Sequence, residues 1–281
     1  MFADYHVHTE FSSDSVYPME QVLEDAIAMG MDEICFTEHV DYGVKKDWDS
    51  EGPVKYYGDK PYLNADYPAY AAKVYRLRPK YGAEINIKMG LEFGMQEHTI
   101  PQYEALAQNA PFDKNPLDFI ILSVHQVEDK EFWTQEFQEG KSQKEYNEGY
   151  YEELLRVAKA YKGYSVLGHL DMILRYDKAG VYPFGKVKPL VSEILKTAIQ
   201  DGKGLELNTS YHRYGLQDTT PSVEILKLYR SMGGEILTIG SDSHEPGHLG
   251  AYIHEGKQLL ESLGFRYFCT YDEMVPIFHK L

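Results

Sequence analysis

The chain has 281 residues, 43% of them apolar, and a formal net charge of −16. That is length enough for one sizeable core, and so acidic a balance argues against a broad surface for nucleic-acid phosphates. No run of ~18 apolar residues offers a membrane span, MFADYHVH has neither part of an export signal, and Cys35 and Cys269, each in an apolar stretch, fit buried thiols in a reducing, cytoplasmic setting.

In chain order, the first expected strand is ADYHVH (3–8), followed by a helix over PMEQVLEDAIAMG and a second strand, DEICFTEH (32–39). The longest irregular piece, 41–66, comes next and carries Trp48, Tyr56, Tyr57 and Tyr62 beside several acids. A loop of that length in a compact domain is commonly functional, and it is read as a lid. Then come a helix over YPAYAAKVYRLRPKYG, the strand INIKMGLEF (85–93), a helix over HTIPQYEALAQNA and the strand LDFIILSVH (117–125). The second half repeats the alternation: helix NEGYYEELLRVAKAYKG, strand SVLGHL (165–170), helix VKPLVSEILKTAIQDG, strand KGLELNT (203–209), helix PSVEILKLYRSMGG and strand EILTIGSD (235–242). A last helix near 253–264 and a short run, RYFCTY (266–271), close the order. Prolines near several helix starts and glycines near their ends agree with these boundaries.

Seven strand–helix units in a row predict an α/β fold with a parallel sheet and helices outside it. Open sheet and closed barrel remain to be separated, and the polar residues separate them. Histidine and carboxylate recur where strands end: His6 and His8, His39, Glu92, His125, His169, then Asp242 and His244. On a strand, residues i and i+2 face one side about 6.6 Å apart, so each terminal pair aims at one volume. A closed barrel makes the first and last strands neighbours and gathers all four side chains at the C-terminal rim, where function collects in parallel barrels.

A lone strand-end histidine is most often structural, but here five of the seven strand ends carry one. His98, His254 and His279 read as ordinary surface or helix histidines, and His212 and His248 fall close to the rim. The mixed nitrogen and oxygen ligands suit Zn, Fe or Mn rather than Mg or Ca. With Asp14 in the loop after the first strand, nine candidates exceed one ion, and three ions with shared ligands fit the number.

The ordered set HxH (His6, His8), Asp14, TEH (His39), GLE (Glu92), SVH (His125), GH (His169) and GSDSH (Asp242, His244) resembles the PHP superfamily, over residues 4 to about 250. Three further phrases, GHLDMILR (168–175), LELNTSYHR (205–213) and GSDSHEPGHLG (240–250), are similar to its histidinol-phosphate phosphatase branch. The resemblance implies a single PHP-type domain over 1–281, a distorted (β/α)7 TIM-like barrel. It also implies three divalent metal ions: one on His6, His8, Glu92 and Asp242, a second on Glu92, His125 and His169, a third on Asp14, His39 and His244. Some family members have His where this chain has Asp14.

The activity so implied is hydrolysis of L-histidinol phosphate, a step of histidine biosynthesis, by a metal-bridging hydroxide. Glu92, bridging two ions, and Asp242, on the first, are then the catalytic carboxylates. Arg175 and Arg213, on the same rim, match phosphate with their guanidinium forks, and the resemblance points to the same two. His248 is the candidate beside the leaving group. The expected partner is a small-molecule phosphomonoester, with no nucleic acid or membrane, and the chain acts as a monomer or homodimer. Rival readings are a nucleotide phosphatase or exonuclease, a protein-tyrosine phosphatase on the same site, and a non-catalytic metal-binding module. An exonuclease needs a basic track to the rim, and none is visible.

Overall fold

The computed structural model describes residues 1–109, 111–112 and 116–281. Seven strands form one parallel sheet in sequence order: β1 Ala3–Val7, β2 Glu33–Val40, β3 Asn86–Gly94, β4 Phe119–Ser123, β5 Val166–Leu167, β6 Gly204–Asn208 and β7 Leu237–Gly240. Each falls on a stretch expected from the sequence, β2 and β3 running one residue past the expected end. Their continuous burial is the signature of strands covered on both faces.

β1 and β7 meet through a single bridge, Val7 to Ser243. His8 N–H donates to Ser243 O (2.8 Å) and Ser243 N–H to His6 O (3.1 Å). The ladder between β1 and β2 also shifts register between Asp4 and Val7. The result is a nearly closed, distorted (β/α)7 barrel, the fold class expected from the residues, and the closure falls at the rim where the histidines stand.

Among the described residues seven α-helices follow the strands: α1 Met19–Ala28, α2 Tyr67–Tyr81, α3 Ile100–Gln108, α4 Gln143–Ala160, α5 Phe184–Gln200, α6 Val223–Ser231 and α7 Ile253–Ser262. Each buries one stripe. On α5 it is Val187, Val191, Ile194, Leu195 and Ala198, spaced for one face of a helix. α4 begins earlier than the sequence spacing predicts, because Ser142 and Glu145 form a capping box ahead of the apolar stripe. Ala110, the last residue of the third expected helix, lies outside the described residues.

RYFCTY does not merely trail. It becomes β8 (Tyr267–Asp272) and pairs antiparallel with β9 (Val275–Lys280). This hairpin packs where the barrel strands begin: the Tyr271 ring lies 4.9 Å from that of Phe119, the first residue of β4. Among the described residues no helix is long and apolar enough to cross a membrane.

The 41–66 segment is tied across its base, Asp41 N–H to Asn64 Oδ1 and Asn64 N–H to Lys46 O (both 2.8 Å). A two-residue ladder, Tyr56–Tyr57 against Lys60–Pro61, forms its tip.

Candidate metal centre

Glu92, buried near the end of β3, is the hub. Its Oε1 lies 2.8 Å from His169 Nε2 and 3.1 Å from His125 Nε2. Its Oε2 lies 3.1 Å from His6 Nε2, 3.1 Å from His39 Nδ1 and 3.4 Å from His8 Nε2. Asp242 Oδ1 stands 3.7 Å from the Nε2 atoms of both His6 and His8. Asp14 Oδ2 is 3.4 Å from Nε2 of His39 and of His244. The His8 ring is sandwiched between those of His39 and His244, with centroids 4.1 and 4.2 Å away. All nine candidates from the sequence therefore converge on one basin at the C-terminal rim.

Local backbone makes this crowding feasible. A Cβ on Gly240 would strike His6 and Glu206, and one on Gly94 would strike Asp41 and His125. Both strand ends must be glycine for the imidazoles to approach. Asp242 itself sits in the left-handed region at φ 56°, a conformation that costs energy for a residue with a Cβ and gathers at functional sites.

A second ring of residues, not singled out from the sequence, holds the imidazoles. Glu206 Oε1 meets His6 Nδ1 at 2.5 Å, and Asp41 Oδ1 meets His125 Nδ1 at 2.7 Å. Such contacts fix the tautomer, leaving the opposite nitrogen facing the basin. Asp41 also pairs with the buried Lys45 at 2.8 Å. Asp41 follows His39 at the same i, i+2 spacing used for the terminal pairs, so a signal for it existed. Glu206 shows only as an acid inside LELN. Lys45 is brought in by the fold of the 41–66 segment and has no local signal.

The fit to metal rests on unmet polar atoms. His8 Nε2, His39 Nδ1, His169 Nδ1 and Asp14 Oδ1 are buried and make no hydrogen bond, which in a close-packed interior calls for a further partner. Four groupings of three donor atoms each converge closely enough for one ion: His8, His39 and His244; His6, His8 and Glu92; His6, His169 and Asp242; and His39, Glu92 and His125. The electrostatics agree. Burial alone would raise the Glu92 and Asp242 carboxyls, yet neighbouring imidazoles, with Arg175 and Arg213 for Asp242, hold both well below their usual range. Burial works against a charged His39, but Asp14 and Glu92 lift it to about 10; Glu92 and Asp41 likewise lift His125 to about 9. Burial and three neighbouring imidazoles push His8 well down. Cations entering the basin would displace the protons that now balance its carboxylates.

Above the basin opens a cavity of about 110 Å³, walled by Asp14, Glu92 and Asp242 below and by Lys45, Tyr62 and Arg175 to the sides. Arg175 is held by Ser210 Oγ (2.7 Å) and Asp242 Oδ2 (3.3 Å) and stacks on the Tyr214 ring, while its Nε is buried without a partner. Arg213 is placed differently. It does not line this cavity; its guanidinium donates to the carbonyls of Ser241 (2.7 Å) and Asp242, bracing the strained turn. His248 lies outside the wall, 3.1 Å from Glu245. His212 stacks on Tyr252 at 3.7 Å, and His98 pairs with Asp129, both away from the basin. From the 41–66 segment, Lys45 and Tyr62 reach the cavity, whereas Trp48 and Tyr56 are exposed.

Comparison with known proteins converges on one family. A histidinol-phosphatase of Lactococcus lactis subsp. lactis (strain IL1403) is 30% identical over 276 residues, covering 96% of this chain and 94% of the relative. The histidinol-phosphatase of Bacillus subtilis (strain 168) is 27% identical, covering 90% and 96%. Among solved structures, histidinol phosphate phosphatase of L. lactis complexed with zinc, L-histidinol and phosphate superposes with a TM-score of 0.82 at 28% identity, covering 98% of each chain. The family model described as "PHP domain" matches residues 4–210, and the chain belongs to that family.

Proposed function

We propose that the chain is a metal-dependent phosphomonoesterase that hydrolyses L-histidinol phosphate to L-histidinol and phosphate. The observation that carries it is the Glu92 carboxylate ringed by five imidazoles, with buried donor atoms left unpaired, beneath a cavity walled by Arg175. The substrate follows from the relatives: the L. lactis enzyme, alike along nearly its whole length, was crystallised with zinc and both products of this reaction.

The site is read as one for divalent metal, in three positions. His6, His8, Glu92 and Asp242 would hold one ion, Glu92, His125 and His169 a second, and Asp14, His39 and His244 a third, filled by Zn, Fe or Mn. When bound, such ions supply an activated water at neutral pH and positive charge beside the phosphoryl oxygens. Glu92, shared by two of these positions, and Asp242, in the first, are read as catalytic through that ligation.

Glu206 and Asp41 keep Nε2 of His6 and of His125 turned toward the basin. Arg175, fixed by Ser210 and Tyr214 on the cavity wall, is read as the guanidinium that meets arriving phosphate and stabilises charge that grows on it. Arg213, which braces the 241–242 turn, is read as the second phosphate-binding arginine, and His248 as the residue beside the leaving group. The leaving group carries an amine and an imidazole. Glu131, Tyr62, Trp133 and Tyr176 offer it an acidic and aromatic wall, with the 41–66 segment as lid. The acting unit in this reading is a monomer or homodimer in the cytoplasm, with no nucleic-acid or membrane partner, in keeping with the charge of −16.

The test is a panel: metal-loaded protein with histidinol phosphate, p-nitrophenyl phosphate, a phosphotyrosine peptide and an oligonucleotide. Fast release from histidinol phosphate alone is expected. Equal rates on all four would reduce the reading to an unselective phosphatase, and no release from any would sink it.

A further inference from the structure

Behind the turn Met172–Tyr176 lies a second cavity of about 390 Å³, between α4, the 171–187 segment and the 216–225 segment. One turn serves both cavities: Met172 and Arg175 face the metal centre, and Leu174 faces this one. Its body is apolar, walled by Leu174, Phe184, Val187, Leu216 and Ile225. Two acceptors on the wall are unmet. Asp171, 2% exposed, accepts Ser222 N–H on Oδ2 at 2.8 Å, while its Oδ1 has no partner. Asn147, fully buried, spends its amide N–H groups on Asp177 Oδ2 (2.8 Å) and Gln143 O (3.0 Å), which leaves its Oδ1 alone. Among the described residues no lysine or arginine lines the cavity, and Asp218 and Glu224 stand at its exposed edge.

Two buried acceptors without donors, one of them a carboxyl, would each cost free energy if left so. Acid at the edge and an apolar body define the complement: a hydrogen-bond donor of positive charge on a small apolar frame. We propose that this cavity binds a small amphipathic amine, its ammonium group on Asp171 Oδ1 with the Asn147 carbonyl as further acceptor, and its apolar part against Phe184, Val187 and Ile225. The site is separate from the metal centre and needs no metal.

Calorimetry on the full, metal-loaded chain tests this, with inorganic phosphate saturating the catalytic rim and benzylamine, benzyl alcohol and benzoate as probes of one shape. Saturable benzylamine binding is expected, about tenfold tighter than benzyl alcohol, with no binding of benzoate. Asp171→Asn, which keeps an acceptor for Ser222, should weaken benzylamine about tenfold. Glu224→Lys, on an exposed helical position, should weaken it while leaving hydrolysis unchanged, and it decides the matter if Asp171→Asn does not fold. A co-crystal should place the amine beside Asp171. No saturable benzylamine binding, equal binding by wild type and Glu224→Lys, or amine density elsewhere would overturn the proposal.

Discussion

The two ends of the barrel handle buried polar groups in opposite ways. Where the strands begin, the charged groups find partners within the chain, although the Tyr164 hydroxyl does not. Asp118 takes Arg78 at 2.6 Å and Met89 N–H at 2.8 Å, Lys88 takes Asp272 at 2.5 Å, and Glu33 takes the hydroxyl of Tyr5 and the amide of Asn86. Where the strands finish, imidazole and carboxylate crowd around Glu92 and several donor atoms stay unpaired. One end is closed on itself and holds the fold together. The other is built for something the chain does not supply.

That contrast can be broken most severely by chelation. Stripping metal should abolish histidinol phosphate hydrolysis and lower Tm, because ions that bind only the folded state stabilise it; added Zn or Mn should restore both. An unchanged Tm and rate after stripping, checked by elemental analysis, would place the closing element elsewhere. Glu92→Gln should likewise remove activity and metal together.

Arg175→Ala comes next. The loss of one group aimed at developing charge costs ~10²–10³ in kcat, and metal content should be unaffected since Arg175 is not among the ligands. Glu206→Gln should be milder, with metal affinity down ~10–100-fold, as for other partners that orient a liganding histidine; metal titration reads this directly. The smallest change sharpens the contrast from the other side. Asp118→Ala strands the donors of Arg78, Met89 and Glu273 and should cost about 1–3 kcal/mol of stability by denaturant melt, with kcat left as it was.

The same contrast explains what the sequence made readable. The candidate ligands announce themselves because a histidine or acid at the end of an apolar strand breaks the pattern, and the i, i+2 pairs at the two ends of the sequence make sense only in a closed barrel. All seven strands and nine convergent residues could be marked on that basis. Their outer partners were harder. Glu206 is one acid in a buried strand, and Lys45 reaches the cavity only because its segment folds back over the rim. The C-terminal hairpin escaped for a different reason. Its turn places Glu273 and Met274 at φ 46° and 67°, where hairpins ordinarily use glycine or asparagine, so the usual turn signature is missing. The early start of α4 was legible, since Ser142 and Glu145 spell a capping box.

The single bridge between Val7 and Ser243 bears on how the molecule comes into being. Histidines near the first strand and the candidates Asp242 and His244 just past the seventh lie on opposite sides of that seam, so a nascent chain lacks these two of the nine convergent residues until its last barrel strand has been synthesised and docked. Loop closure across so much sequence is slow to nucleate. Ions bridging the seam would act as a clasp.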